Sequence, residues 1–207
     1  MCDSSAVEFF ANVVQADEFR EKRVLEVGSL YVNGSVRPIV EKIGRPSGYI
    51  GIDIKEGKFV DMVLPAEEIL SKFGDEAFDA VISTEMIEHV ENWRQAIDNM
   101  KSVLKAEGSI FITTRSKGFK MHGYPHDFWR FEIDDMKRIF SDFMIENLMP
   151  DPQFPGIFLR ARKPQSWQRR SLEGVRLYSV ILGKRTSEIP SLFDMPPLRR
   201  VWVRFFQ

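Results

Sequence analysis

Three polar segments end short apolar runs in this sequence, and their residue types suit a nucleoside ligand. The first is Glu26-Val27-Gly28, the second ends at Asp53, and the third is Ser83-Thr84-Glu85. A glycine allows a ligand to approach the backbone closely because it has no Cβ atom. An acid about 25 residues further on can accept hydrogen bonds from two ribose hydroxyls. Two acids, Glu26 and Asp53, favour a cationic ligand over a pyrophosphate.

The loop after the first apolar run does not fit two common phosphate-binding motifs. A dinucleotide fingerprint reads Gly-x-Gly-x-x-Gly and places the pyrophosphate at the start of the following helix. The run from Gly28 to Gly34 reads Gly-Ser-Leu-Tyr-Val-Asn-Gly and lacks that spacing. A Walker A loop ends in Gly-Lys-Ser or Gly-Lys-Thr, and the chain contains neither.

An aromatic-rich segment, residues 117–131, contains two of the three histidines. Loops carried by a rigid scaffold often contact the substrate, and histidine is the usual general base at neutral pH. His126, next to Asp127, is the first candidate for a base acting on a hydroxyl, and His122 is the second. An alternative of equal weight is that the aromatic residues pack the loop down and Arg130 pairs with an acid.

The segment Glu85-Met86-Ile87-Glu88-His89 is a second candidate for chemistry. If it is helical, Glu85, Glu88 and His89 share one face because they occupy positions i, i+3 and i+4. Such a carboxylate–imidazole set can hold a divalent metal, with His122 or His126 as a further ligand. The spacing alone leaves the metal open and favours the metal-free interpretation.

The order of apolar and amphipathic segments predicts the scaffold that positions these residues. Alternating strands and helices with short connections indicate a parallel sheet covered on both faces. The last two strands, joined by a proline-rich loop, indicate an antiparallel hairpin at the edge of the sheet. The predicted strands are 23–27, 49–53, 59–63, 78–83, 109–113, 143–148 and 157–162. The predicted helices are 4–19, 35–44, 65–73, 92–105 and 134–140.

The expected fold is therefore α/β: a doubly wound, mostly parallel seven-stranded sheet with helices on both faces and an antiparallel C-terminal hairpin. Ligands of such sheets bind beyond the carboxyl ends of the strands, where the three polar segments lie. After residue 164 the pattern weakens. Residues 172–182 fit either a helix or a strand, and residues 201–206 alternate loosely like a terminal strand.

Composition is typical of a globular domain without a membrane span. The 207 residues are 43% hydrophobic and 29% charged, and no apolar run approaches the roughly 20 residues needed to cross a bilayer. The first residues lack the basic start and apolar stretch of a signal peptide. Cys2 is the single cysteine, so no disulfide forms within the chain. These features predict a cytoplasmic location.

Charge is unevenly distributed along the chain. From Arg160 to Gln207 there are eleven Lys and Arg against three Asp and Glu, whereas the preceding 159 residues have 18 against 27. The favoured interpretation is that the basic end lies on the acidic body. The alternative is a surface for an anionic partner or for homodimer formation, and the apolar end at 202–206 would favour association.

Taken together, the segments resemble the class I S-adenosylmethionine-dependent methyltransferases of the small-molecule, type 11-like kind. The resemblance extends from Val24 to Lys163. It is carried by four segments in order: Val-Leu-Glu-Val-Gly28, Tyr-Ile-Gly-Ile-Asp53, Phe78 to Val90, and Leu104 to Thr114. Their order and spacing agree together, which is more specific than any one motif.

The resemblance implies S-adenosylmethionine as cofactor, with S-adenosylhomocysteine as product, and it implies a role for each polar segment. Glu26 and Gly28, with Ser29, would lie against the methionine moiety. Asp53 would hold the ribose and Ile54 would lie beside it. Ala66 and Glu67 would flank the adenine. Ser83, Thr84 and Glu85 would close the site near the sulfonium.

Two departures from the family pattern affect these roles. Leu30 and Val32 stand where the family has glycines, so Asn33-Gly34 is expected to make the turn. Pro65 stands where an aspartate often follows the third strand, which would leave adenine recognition to Glu67 or to the backbone.

The sequence thus predicts a methyltransferase domain at 1–163, including an N-terminal helix, and a basic extension at 164–207 packed on it. The predicted acceptor is a small hydroxylated molecule, with a sugar or glycan precursor as one candidate. Alternatives are a non-catalytic module that binds a partner through the extension, and an RNA methyltransferase. A nucleic-acid substrate is disfavoured because the body is acidic.

Overall fold

The computed structural model of the protein describes residues 4–123 and 125–195. Its strands are β1 (Arg23–Val27), β2 (Gly48–Asp53), β3 (Met62–Val63), β4 (Phe78–Thr84), β5 (Leu104–Arg115), β6 (Trp129–Arg130), β7 (Met144–Pro150), β8 (Gly156–Arg162), β9 (Leu177–Ser179) and β10 (Lys184–Thr186). Its helices are α1 (Ser4–Val13), α2 (Arg37–Ile39), α3 (Ile69–Phe73), α4 (Trp93–Val103) and α5 (Ile133–Ile139). Helix α2 continues as a π-turn at Val40–Gly44, and 3₁₀ turns occur at Ala16–Glu18, Ala66–Glu68, Ile87–His89 and Leu192–Asp194.

Seven strands form one mixed sheet in the order β3-β2-β1-β4-β5-β8-β7. The first five are parallel, and β8 and β7 are antiparallel to their neighbours. This confirms the predicted doubly wound sheet with its C-terminal hairpin. Because the chain runs outward from β1 to β3 and then returns to β4, the order reverses between β1 and β4. A crevice is expected there, at the carboxyl ends of the strands.

Helices cover both faces of the sheet with separate apolar layers. In β1, Val24 belongs to one layer and Leu25 to the other, as strand alternation requires. Helix α1 supplies the first layer, where the rings of Phe9 and Phe158 lie 4.7 Å apart. Helix α4 supplies the second layer through Trp93, Ile97, Met100 and Val103, all fully buried. The sheet is thereby fixed on both sides.

Several predicted elements have different bounds in the structure. Helix α1 ends at Val13 rather than at residue 19, and α3 starts at Ile69, after a 3₁₀ turn at Ala66–Glu68. The predicted strand at 59–63 is reduced to β3, because Phe59 has a left-handed φ of 72° and ends extended pairing there. Helix α4 stops at Val103, two residues early, because Leu104 is extended and pairs with Phe78. Strand β5 consequently starts well before the predicted residue 109.

A small second sheet, in the order β10-β9-β6, was not predicted. It pairs Trp129 and Arg130 of the aromatic-rich segment with β9, so the ambiguous run at 172–182 contains a strand. The pairing joins segments about fifty residues apart, which local periodicity does not reveal. The predicted terminal strand at 201–206 lies outside the described residues.

Part of the basic extension contacts the acidic body. Arg169 pairs with Asp98 at 2.8 Å, and Arg185 pairs with Asp135 of α5. Arg94 of α4 donates to the Leu172 carbonyl at 3.0 Å. Among the residues placed by the structure, none of the helices is both long and apolar enough to cross a bilayer.

Candidate active site

A cavity of about 290 Å³ opens at the carboxyl edge of the sheet, in the expected crevice. Its lining comes from the ends of β1 and β2, the connection after β3, the turn after β4, and the aromatic-rich segment. The lining residues are 27–28, 52–54, 64–67, Met86, 89–91, His126 and Phe128. Its volume lies close to the lower end of the range for small-molecule sites, roughly 300–1,000 Å³.

Gly28 joins the loop after β1 to the turn after β4. Its φ is +82°, and a Cβ added there would lie 2.4 Å from Met86 Cγ and 2.6 Å from Met86 Cβ. Its amide donates to the Ile52 carbonyl at 2.9 Å. Both the backbone conformation and the contact with Met86 therefore require glycine at this position.

Asp53 lies at the end of β2, half-buried in the cavity wall. One carboxylate oxygen accepts from the Leu30 amide at 3.3 Å, and the other accepts from the Lys55 amide at 3.1 Å. Each oxygen keeps a second acceptor position, because a carboxylate offers about four in total. Asp53 thus orders two loops and can still accept hydrogen bonds from a vicinal diol.

Leu30 stands where the glycine-rich pattern of the resembled family has a glycine, and its side chain lies beside Gly57. A Cβ added at Gly57 would lie 2.3 Å from Leu30 Cδ1, so the leucine side chain fills the volume that Gly57 leaves open. The Tyr31 amide donates to the Lys58 carbonyl at 3.0 Å. The loop after β1 is thereby fixed without the second and third glycines of the family pattern.

Ile54, Ala66 and Glu67 form another part of the cavity lining. Asn99 of α4 fixes this part, because its side-chain amide donates to the carbonyls of Ala66 at 3.1 Å and Glu67 at 2.6 Å. Three carboxylates line the cavity: Asp53, Glu67 and Glu91. A cavity with this lining favours a cationic ligand over an anionic one.

Glu26 is not among the residues that line the cavity. It is buried on the α1 face of β1 and accepts a hydrogen bond from the Tyr49 hydroxyl at 2.8 Å. Burial raises the pKa of Glu26 to about 7, despite the opposing effects of Tyr49 and Arg37. Arg37 covers the Tyr49 ring at 4.7 Å and pairs with Asp61 at 2.7 Å. We refer to Glu26, Tyr49, Arg37 and Asp61 as the first-strand cluster.

The other predicted residues of the strand ends are buried outside the cavity lining. Ser29 donates its amide to the Ile52 carbonyl at 3.0 Å. Ser83 and Thr84 are the last two residues of β4, and both are buried. Glu85 adopts φ +53° and pairs with the buried Arg115. Sequence reasoning placed these residues beside the ligand, whereas the structure places Met86, Val90 and Glu91 there instead.

Glu88, His89 and His122 converge beside the cavity, and we refer to them as the His–Glu cluster. A potential ligand atom from each lies within 4.8 Å of those from the other two. Glu85 does not join them, because the segment is a 3₁₀ turn rather than an α-helix and Glu85 pairs with Arg115. The cluster can therefore hold a metal ion, but with His122 in place of Glu85.

Three atoms of the His–Glu cluster are buried without a hydrogen-bond partner among the described residues: Glu88 Oε1, His89 Nε2 and His122 Nδ1. Glu88 Oε1 lies 4.0 Å from His122 Nε2, and the rings of His89 and His122 are 4.6 Å apart. Burial lowers the pKa of His89, which favours a neutral ring with a lone pair on Nε2.

Asp127 anchors the aromatic-rich segment. Its carboxylate accepts from Arg130 at 2.5 and 2.8 Å and from the His122 amide at 2.7 Å. Burial raises the pKa of Asp127, but the hydrogen bonds from Arg130 and His122 outweigh it and hold the pKa at about 2. Among the predicted catalytic residues, His126 is exposed and lines the cavity, whereas Asp127 and His122 are not in its lining.

Comparison with known proteins gives a family match over the centre of the chain. Residues 25–112 match the model of a family described as a methyltransferase domain. Two curated relatives are both ubiquinone biosynthesis O-methyltransferases of mitochondria. The Dictyostelium discoideum protein is 53% identical over 45 residues, which is 22% of this chain and 14% of the relative. The Rattus norvegicus protein is 35% identical over 83 residues, which is 40% and 24% respectively.

A solved structure with a similar fold is 1,6-didemethyltoxoflavin-N1-methyltransferase from Burkholderia thailandensis, crystallised with bound 1,6-didemethyltoxoflavin and S-adenosylhomocysteine. It superposes with a TM-score of 0.58 at 16% identity, covering 78% of this chain and 80% of that protein. At this identity the likeness concerns the fold alone. The matches to the curated relatives span less than a quarter of their length, so their activities do not transfer directly.

Proposed function

We propose that the chain is a class I S-adenosylmethionine-dependent methyltransferase and that it transfers a methyl group to a hydroxyl of a small acceptor. One observation supports this proposal above the others. The cavity lies at the switch point of the sheet, is lined by carboxylates, and contains Asp53 at the end of β2. This chemistry suits a nucleoside that carries a positive charge.

The cavity fits S-adenosylmethionine in three respects. Asp53 has acceptor positions for the two ribose hydroxyls. Ile54, Ala66 and Glu67 form a half-apolar wall for the adenine. Gly28 and Met86 lie against each other and also line the cavity, and the methionine moiety would lie beside them. The cofactor, when bound, supplies an electrophilic methyl group on its sulfonium.

In this proposal the remaining predicted cofactor residues support the site without lining the cavity. Glu26 joins β1 to β2 through Tyr49, and Ser29 ties the loop after β1 to Ile52. Ser83 and Thr84 are buried at the end of β4, and Glu85 ties the following turn to Arg115. Their substitution should affect cofactor binding through the position of the loops rather than through direct contacts.

His126 is the proposed general base. It lines the cavity and its side chain is exposed, so an acceptor can reach it, whereas Asp127 is committed to Arg130. Asp127 is a positioning residue that holds the backbone of the loop on which His126 lies. Acceptance of a proton from a hydroxyl needs such an imidazole within hydrogen-bond reach.

The acceptor class is proposed from the names of the two relatives and from the aromatic-rich segment. Both curated relatives are named O-methyltransferases, which supports a hydroxyl acceptor. The aromatic-rich segment resembles that of methyltransferases linked to glycan assembly, which supports a sugar. Phe128 presents an apolar surface in the cavity wall that either an aromatic ring or a sugar face can cover.

Binding and turnover are tested separately. Isothermal titration with S-adenosylhomocysteine should show one site, and Asp53→Ala should weaken it at least tenfold because two ribose hydrogen bonds are lost. Asp134→Ala, an exposed acid on α5, is the matched control and should bind normally. Radiolabelled methyl transfer is then measured with phenolic and sugar acceptors. Absence of binding in the wild type would refute the proposal.

A further inference from the structure

We propose that the His–Glu cluster binds one divalent transition-metal ion, with zinc as the expected ion, in the wall of the cofactor cavity. The proposal rests on the positions of Glu88, His89 and His122 and on the partners that orient them. Ion binding itself does not depend on the activity proposed above. Only the role of the ion in methyl transfer does.

The first observation is that two potential ligand atoms are buried and unpaired. Glu88 is 0% exposed, and its Oε1 has no hydrogen-bond partner in the described part of the chain. His89 Nε2 is in the same position. Buried polar atoms without partners are rare, and an ion or ordered water often accounts for them. A potential ligand atom from each of Glu88, His89 and His122 lies within 4.8 Å of those from the other two, and Glu88 Oε1 lies 4.0 Å from His122 Nε2.

The second observation is that Glu88 and His89 are each held by a hydrogen bond at the atom opposite the proposed ligand atom. Glu88 Oε2 accepts from the Thr114 hydroxyl at 2.9 Å. His89 Nδ1 donates to the His126 carbonyl, which leaves the lone pair on Nε2. His122 Nε2 lies 4.0 Å from Glu88 Oε1, and the opposite ring atom, Nδ1, lies 3.2 Å from Asp127 Oδ2. Metal-binding histidines are typically oriented by a carbonyl or carboxylate in this way.

The donor set indicates the kind of ion. Two imidazole nitrogens and one carboxylate oxygen suit zinc and related divalent transition metals, whereas magnesium and calcium prefer oxygen ligands. Three protein ligands leave at least one coordination position open, as in catalytic zinc sites. The site therefore differs from a closed structural site, which would need a fourth protein ligand.

His89 connects this site to the cofactor cavity, because it belongs to both. The open position can therefore face the acceptor. If methyl transfer to a hydroxyl is correct, an acceptor oxygen bound there would lose its proton more readily, because the ion stabilises the resulting oxyanion. The proton would pass to His126, and the oxygen would then bond to the methyl carbon as the carbon–sulfur bond breaks with its electron pair going to sulfur.

The test is zinc binding by chelator-treated, tag-free full-length protein, measured by competition with a chromophoric chelator. The wild type should bind one equivalent. Glu88→Gln and His122→Ala should each weaken binding at least tenfold, because each removes a ligand atom. His126→Ala is the matched control: it removes a nearby imidazole but keeps the backbone carbonyl that orients His89, so zinc affinity should stay within about threefold.

Titration of the same samples with S-adenosylhomocysteine separates the outcomes. If Glu88→Gln binds the nucleoside normally but loses zinc, the fold is intact and the ion site is supported. If the wild type binds the nucleoside but no zinc, or if His122→Ala binds zinc as tightly as the wild type, the ion site is refuted. If zinc binds and the nucleoside does not, the proposed function fails and the ion site stands.

Discussion

The first-strand cluster and the His–Glu cluster each contain a buried glutamate, but the hydrogen bonding of the two clusters differs. Glu26 accepts from Tyr49, and the neighbouring Arg37 pairs with Asp61 and Glu41. Glu88 accepts from Thr114 through one oxygen, while the other has no partner within the described ranges. Within the described residues, the charged and polar groups named for the first cluster are paired, whereas Glu88 Oε1 and His89 Nε2 of the second have no partner.

This difference suggests different roles for the two clusters. Paired buried groups maintain the loop after β1, whose conformation shapes the cavity. Unpaired buried groups reduce stability, and they are expected where a bound species completes them. Substitutions in the first cluster should therefore change stability, and substitutions in the second should change ligand binding.

The largest predicted effect concerns the support of the His–Glu cluster rather than the cluster itself. Asp127→Asn leaves the buried Arg130 without its charge partner, which should cost about 3–5 kcal/mol of stability. Urea denaturation measures the loss. Asp134→Asn breaks an exposed pair with Lys137 and should change stability by less than about 0.5 kcal/mol. Similar small losses in both variants would contradict the anchoring role of Asp127.

A pH-dependent effect is predicted for the first-strand cluster. The pKa of Glu26 is about 7 in the folded protein, against 4.5 for an unperturbed glutamate, so the folded state binds the proton more tightly. Stability should therefore fall as pH rises from about 4.5 through about 7, by roughly 3 kcal/mol in total. Glu26→Gln lacks this ionisation and should lose that contribution to the pH dependence. Parallel stability profiles for the two proteins would refute it.

The smallest predicted effect is that of Glu88→Gln on the metal-free protein. Glutamine retains an acceptor for Thr114 and removes a carboxylate oxygen that has no partner, so stability should change by less than about 1 kcal/mol. Thermal and urea denaturation in the presence of a chelator provide the measurement. A loss above about 2 kcal/mol would show that Glu88 is as fully paired as Glu26, and the comparison would fail.

The fold was predictable because its strands and helices are marked by local periodicity. The runs ending at Val27, Asp53 and Thr84 are apolar and short, and α4 is strongly amphipathic with Asn92 as its cap. The second sheet was not predictable, because β6 has two residues and pairs with a strand far along the chain. Such non-local pairing leaves no periodic signal.

The site was predicted in part. Gly28, Asp53 and Glu67 line the cavity, whereas Glu26 lies on the opposite face of β1 from Val27. Strand alternation contains that information, since neighbouring side chains point to opposite faces. The direction of Glu85 could not be predicted, because its positive φ turns the chain out of the assumed helix.

The most direct test of the account is anomalous diffraction at the zinc edge from crystals grown with zinc and S-adenosylhomocysteine. The account predicts one peak about 2.0–2.2 Å from Glu88 Oε1, His89 Nε2 and His122 Nε2, with the nucleoside in the adjoining cavity and its ribose at Asp53. Ordered side chains in the His–Glu cluster without an anomalous peak, while the nucleoside is bound, would contradict the claim that an ion completes this cluster.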